Sequence, residues 1–356
     1  MKRNLSSFVA LFAMLLLFAS CKEGQKTIFT PVSSGTPYEM LVVMDNATWE
    51  APAGRALFNV LDTNVPGLPQ AERSFRISQI EPDNFMRGFK IFRNIIKPVI
   101  GEQYTQTKFK YSRDVYSTPQ MILVIQSPSE KDFAEYVSKN GQLIIDFFTR
   151  AEMNRQIAAL EGKHSEMVQA RVKDMFNCDL WMPTELGSYK VGKDFLWTSS
   201  NGASVNLNCV VYTLPYNDKR TFTREFMLHK RDSVMKANIP GAREGMYMAT
   251  DTLLTDVKDI TVKKQYAKEM RGLWYMEGDM MGGPFVSHAR LDHINARVVV
   301  VEAFVFSPEK LNRNVMRKME AALYTLKLPE EDVLNREEEV DENFTPMPKK
   351  EASPAK

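Results

Sequence analysis

The sequence predicts an α+β protein of two related units in tandem, each a largely antiparallel sheet packed by helices. Three observations carry this. Strand-like apolar runs follow one another across short turns, with helical patterns at the ends of each run. The 356 residues, 44% of them hydrophobic, exceed what one core usually serves. Short words also recur in a fixed order: Asn64-Val65-Pro66-Gly67 as Asn238-Ile239-Pro240-Gly241, Arg87-Gly88-Phe89 as Arg271-Gly272-Leu273, and Ser127-Pro128-Ser129-Glu130 as Ser307-Pro308-Glu309. An ancient duplication with altered loops accounts for the order and for the unequal spacings.

In the first half, Met40–Met44 reads as a strand and Ala53–Leu61 as a helix. Phe75–Ile80, Phe89–Ile96, Thr107–Tyr116 and Met121–Gln126 read as strands. A helix is expected from Ser127, where the hydroxyl caps free amides, proline loses no hydrogen bond and Glu130 completes a capping box. Gln142–Met175 is helix-rich and reads as a connector. In the second half Val205–Thr213 is a strand and Arg220–Ala237 a helix. Met246–Ala249, Glu269–Met276, Phe285–His293 and Val298–Phe306 are strands, and a closing helix to Leu326 carries Leu311, Val315, Met319 and Ala322 on one face. The expected divisions are a leader (1–20), a flexible tether (21–36), a first unit (37–150), a helical connector (151–176), a second unit (177–328) and an acidic disordered tail (329–356).

The leader shows an export pattern. Lys2 and Arg3 precede eleven apolar residues, Phe8–Phe18, and Ala19-Ser20 are the small residues a signal peptidase needs. Such a run is too short to span a bilayer. Phe18-Ala19-Ser20-Cys21 resembles a bacterial lipobox, which implies acylation of the Cys21 sulfur and membrane attachment through its acyl chains. The single acid in Lys22-Glu23-Gly24 suits an outer-membrane position facing the periplasm. Loss of residues 1–20 removes Lys2 and Arg3 and no acid, leaving 44 residues of each sign. That balance argues against nucleic acid as a partner. Cys178 and Cys209 then remain, able to form one bridge or to stay as buried thiols.

No nucleophile elbow, Walker loop, dinucleotide fingerprint, zincin helix or Cys-x-x-Cys is present after the leader, and no cofactor is expected. His288 and His293 flank Asp292 five residues apart, on opposite strand faces, and read as solvated. His164 and His229 read as surface helix residues. The hairpin bearing Trp274, Met276, Met280 and Met281 is the candidate contact for an envelope protein or polymer. Two alternatives stand beside it: a hydrolase using carboxylates in a cleft between the units, with Glu277 and Asp279 as one exposed pair, and soft-metal carriage by the methionines.

The lipobox, the Trp49-Glu50-Ala51-Pro52-Ala53-Gly54 segment and the Pro66-Gly67-Leu68-Pro69-Gln70 loop resemble an uncharacterised family of bacterial lipoproteins defined as a domain of unknown function. The order of elements in the second half resembles the fold of the PsbP-like extrinsic photosystem proteins. These resemblances imply an address and a fold and carry over no catalytic residue. The expected role is a non-catalytic, lipid-anchored binding or assembly module.

Overall fold

The computed structural model describes residues 30–329, Glu331 and the backbone of Phe344–Pro346. Cys21 and the whole leader lie outside the described residues, as does most of the acidic tail.

The first unit begins with β1 (Glu39–Val43), the short helix α1 (Asn46–Glu50), α2 (Pro52–Leu61) and β2 (Arg76–Ile80). Asp45 Oδ1 accepts the Thr48 amide at 2.8 Å to start α1, and Pro52 opens α2 where its missing N–H is not needed. A one-turn helix α3 (Arg87–Lys90), β3 (Asn94–Ile100), β4 (Lys108–Arg113) and β5 (Met121–Ser127) follow, then α4 (Glu130–Lys139) and the 22-residue α5 (Gly141–Gly162). Strand β14 (Phe344–Pro346) returns from the tail to β4, giving the order β14-β4-β5-β3-β1-β2. One face of this sheet packs on α2, α4 and α5 around Phe75, Phe109, Phe133 and Phe148. Its other face buries Leu41, Val43, Ile95 and Ile122.

The second unit starts with α6 (Glu166–Phe176) and continues through β6 (Ser188–Gly192), β7 (Phe195–Ser199), β8 (Asn206–Pro215) and α7 (Arg224–Asn238). It then runs through β9 (Tyr247–Thr250), β10 (Asp256–Val262), β11 (Gln265–Glu277), β12 (Gly282–Asp292), β13 (Arg297–Phe306) and α8 (Arg313–Leu323). The strand order is β10-β11-β12-β13-β8-β7-β6, with β9 also on β11, and every pair is antiparallel. Helices α6 and α8 cover one face through Val168, Phe176, Met316 and Met319, and α7 covers the other through Met227 and Met235.

The α+β architecture in two tandem units stands. The sheets are wired differently, however. The second is antiparallel throughout, whereas in the first β1 pairs in parallel with β2 and β3, and β3 with β5; only β4–β5 runs antiparallel among the main strands. The cause is the strand–helix–strand path from β1 through α2 to β2, which returns the chain in the same direction. Two of the repeated words keep matched places, and the third does not: Arg87-Gly88-Phe89 is helical, while Arg271-Gly272-Leu273 is strand.

Several local expectations are corrected. The cap of α4 is Ser129, whose Oγ accepts the Asp132 amide at 3.1 Å; Ser127 ends β5 instead. Strand β3 starts five residues later than expected, after α3, and tolerates Pro98 because β1 pairs only at Ile95 and Ile96. The tether is docked in its second half: Ser33 and Ser34 donate to Thr118 and Ile91 carbonyls at 3.0 and 2.8 Å. The span 151–176 is no free connector, since Ala151 belongs to the first core and Val168, Val172 and Phe176 to the second. The tail is also partly held, through Glu331 and β14.

Candidate functional site

Helix α5 bridges the two units, packing on α2 in its own unit and on α8 in the other. Its residues Gln142, Asp146, Thr149, Met153, Ile157 and Glu161 recur every three or four positions and therefore share one face. That face is one wall of a cleft of about 1750 Å³ between the units. The opposing wall is made by β10, β11 and α8. At 1.5 Å per residue the stripe from Gln142 to Glu161 extends roughly 29 Å.

Strand alternation builds the far wall. Met270, Trp274 and Met276 point into the core shared with α7, so Glu269 and Arg271 point the other way, towards α8. Lys258, Glu269 and His288 stand in register on three neighbouring strands. Arg317 and Glu320 on α8, and Tyr324 at its C-terminal cap, fall at helical spacing and meet them. Arg271 binds both acids: its Nε donates to Glu269 Oε1 at 3.2 Å, and its Nη2 donates to Glu320 Oε1. Lys258 adds a contact to Glu269 at 3.3 Å. All of these except Lys258 and Tyr324 are at least nine-tenths buried.

The electrostatics follow from that geometry. Burial alone pushes the Glu269 carboxyl up, but the charge of Arg271 and the contacts of His288 and Lys258 outweigh it and hold Glu269 well below the usual carboxylate range. Arg271 is raised, because its two carboxylates overcome its own burial. The wall therefore holds Arg271 between two carboxylates, with Glu269 kept ionised. Beside it, Glu320 Oε2, Arg317 Nε and Thr149 Oγ1 have no hydrogen-bond partner, and neither ring nitrogen of His288 has one. His288 lies edge-on to Tyr324, ring centres 4.6 Å apart, with Nε2 3.7 Å from Glu269 Oε2.

Two contacts tie the units together around the cleft. Glu72 of the first unit accepts the backbone amides of Asn312 and Arg313 at 2.6 and 2.9 Å, capping α8 across a sequence separation of 240 residues. Gly67, at φ +72°, lies so close to Arg271 that a Cβ there would stand 2.5 Å from its Cγ. At the mouth, the β10–β11 turn places Lys263 and Lys264 in the left-handed region, at φ +50° and +62°. Lys263 donates to the Thr325 and Leu326 carbonyls at 3.2 and 2.6 Å, and burial lowers it to about 8. Trp181 also lines the cleft, stacked on His164 at 5.5 Å and fixed by a 2.9 Å bond from its amide to Thr325 Oγ1.

The residues singled out in the sequence are placed elsewhere. Cys178 and Cys209 are free buried thiols in one core, not a bridge; burial pushes Cys178 up to about 11 and Cys209 further. In the hairpin, Trp274 and Met276 are core residues, Trp274 Nε1 donating to the Val305 carbonyl at 3.2 Å. Met281 is half-buried and packs on that core, so only Met280 is presented to solvent. Glu277 and Asp279 are exposed. His288 and Asp292 are buried, contrary to the solvated reading, and His293 and His229 are exposed. His164 is wedged between α5 and α6, its Nδ1 2.7 Å from the Leu160 carbonyl. A separate buried pair, Arg231 with Glu302, holds α7 to β13 at 2.6 and 2.9 Å, with Arg231 over the Phe285 ring.

Sequence reasoning missed the Glu269–Arg271–Glu320 cluster. Its signal is present: two opposite charges at alternate positions of a strand whose other face is Met and Trp.

The fold and cleft define a two-unit α+β protein with a polar seam. Residues 33–161 match the family model of a domain of unknown function (DUF8532), and residues 165–325 match that of another (DUF4837). The chain is thus similar to two uncharacterised domain families in tandem, divided between α5 and α6. No curated protein matches it. No described helix is long and apolar enough to cross a membrane.

Proposed function

We propose that this protein is a non-catalytic binding module of the bacterial cell envelope, acylated at Cys21 and facing the periplasm from the outer membrane, with the inter-unit cleft as its binding site. The lipobox pattern Phe18-Ala19-Ser20-Cys21 supports the anchor. The observation that carries the binding reading is Arg271 lying between Glu269 and Glu320. A carboxylate pair that hydrolyses glycosides needs one member kept protonated. Here Arg271, with His288 and Lys258, outweighs burial and holds Glu269 well below the usual carboxylate range, so Glu269 is no proton donor, and Glu320 is tied to the same guanidinium. What the cleft offers instead is length and directed hydrogen-bonding groups.

Envelope polymers and soluble envelope extract, passed over the immobilised protein, test this. The expected result is a retained component, released chemically unchanged, that is not retained by the Glu320→Gln protein. Turnover of that component, abolished by Glu269→Gln, overturns the non-catalytic reading in favour of a hydrolase. An unmodified Cys21 thiol in protein purified from its native membranes overturns the anchor.

A further inference from the structure

We infer that the cleft between α5 and the β10–β11 hairpin is a site for a neutral oligosaccharide lying along the seam of the two units. The inference rests on the binding reading above and narrows it to one ligand class.

Size comes first. Pockets for compact small molecules run to about 1000 Å³, and this cleft is larger, with one wall roughly 29 Å long, so its complement is an extended chain of several units. Charge comes second. The lining carries six basic side chains and six acidic ones: Arg150, Lys258, Lys263, Lys264, Arg271 and Arg317 against Asp146, Glu161, Glu269, Asp292, Glu320 and Glu331. A polyanion or polycation gains no net attraction from such a wall, and a ligand without net charge is neither drawn nor repelled by it.

Hydrogen-bonding character comes third. On the α8 wall Glu320 Oε2 accepts and Arg317 Nε donates, and on the facing α5 wall Thr149 Oγ1 can do both; all three are unpartnered, and their residues are 2%, 8% and 8% exposed. A sugar hydroxyl donates and accepts at once, so adjacent hydroxyls, directly or through a water, satisfy this mixed set. The amides of Asn64 and Asn154 extend the same character along the cleft. Finally, Trp181 supplies a fixed, flat apolar surface, of the kind on which the C–H face of a pyranose ring packs.

The test is titration calorimetry of the full mature chain with chitohexaose, maltohexaose and cellohexaose, alongside hexagalacturonate as an anion of equal length and a neutral hexapeptide. Thr149→Val and Trp181→Ala are the variants. Valine fills the place of an unpartnered hydroxyl, so that protein retains its fold, which the thermal midpoint verifies. The expected result is binding of a neutral hexasaccharide, weakened roughly three- to tenfold by Thr149→Val and at least as much by Trp181→Ala. Failure of all three neutral sugars, preference for hexagalacturonate, or binding that neither variant alters overturns the inference. Binding of the hexapeptide alone also overturns it but leaves the binding reading standing. That wider reading falls only if the envelope extract likewise yields nothing.

Discussion

Removing the Glu72 carboxylate should loosen the seam between the units more than any other single surface-distant change. Glu72 is 6% exposed, and its two oxygens accept the first amides of α8 from the opposite unit. Each charge-assisted hydrogen bond is worth roughly 1.5–3 kcal/mol, and a negative charge at a helix N-terminus adds about 0.3–1 kcal/mol. Because the contributions overlap, Glu72→Ala should cost about 3–5 kcal/mol, a large part of a typical stability of about 5–15 kcal/mol. Glu72→Gln keeps one acceptor and should cost about half as much. Urea unfolding, followed by tryptophan fluorescence and far-UV circular dichroism, reads both quantities. In the parent the two units should unfold together; in Glu72→Ala the two signals should separate, the second unit melting first. A loss below about 0.5 kcal/mol for Glu72→Ala, or equal losses for the two variants, would refute the cross-unit cap.

Other consequences are as direct. Gly67→Ala should destabilise by about 1–2 kcal/mol from its left-handed backbone alone, and more because Arg271 cannot move without leaving Glu269 and Glu320; chemical denaturation reads the total. Glu269 has a folded pKa below its unfolded value, so its contribution is present above about pH 4.3 and is lost as pH falls through the folded value. The stability gap between the parent and Glu269→Gln should therefore shrink as pH drops below about 4, and a gap that stays constant would contradict the assignment. A soluble form beginning at Lys22 should show no thiol reactive with an aromatic disulfide reagent while folded and two after denaturation without reductant; zero after denaturation would mean that Cys178 and Cys209 are bridged. Glu302→Gln should cost about 3–5 kcal/mol by leaving Arg231 buried and uncompensated.

The second unit was largely legible because its strands obey one rule. Val205–Thr213 and Val298–Phe306 are apolar runs bounded by turn residues, and they pair antiparallel as β8 and β13. Missing were β6 and β10, largely exposed strands whose patterns of Lys, Ser and Asp resemble loops, and β7, a buried run of only five residues. In the first unit the helix between β1 and β2 already implied a parallel pair, and the near-continuous apolar runs Met40–Met44 and Met121–Ile125 implied strands buried on both faces. The later succession of strands hid this. Ser-Pro starts a helix directly at neither place: after Ser127 the cap is Ser129, and after Ser307 the helix begins only at Arg313, where Glu72 of the other unit accepts its first amides. Long-range partners of that kind leave no local pattern. The cluster was invisible for the same reason: Glu269 and Arg271 are two residues apart on one strand, but Glu320 and Gly67 reach Arg271 only through the fold. Methionine density drew attention to the hairpin instead, where Met276 proves to be core filler.

Amide hydrogen exchange on the protein, with and without whichever hexasaccharide or envelope component the binding tests select, tests the central claim most directly. Binding in the seam predicts slowed exchange on both walls at once, along α5 from Gln142 to Glu161 and along β10 and β11 from Lys258 to Arg271. Protection confined to the Met280 hairpin, or to one unit alone, would contradict it.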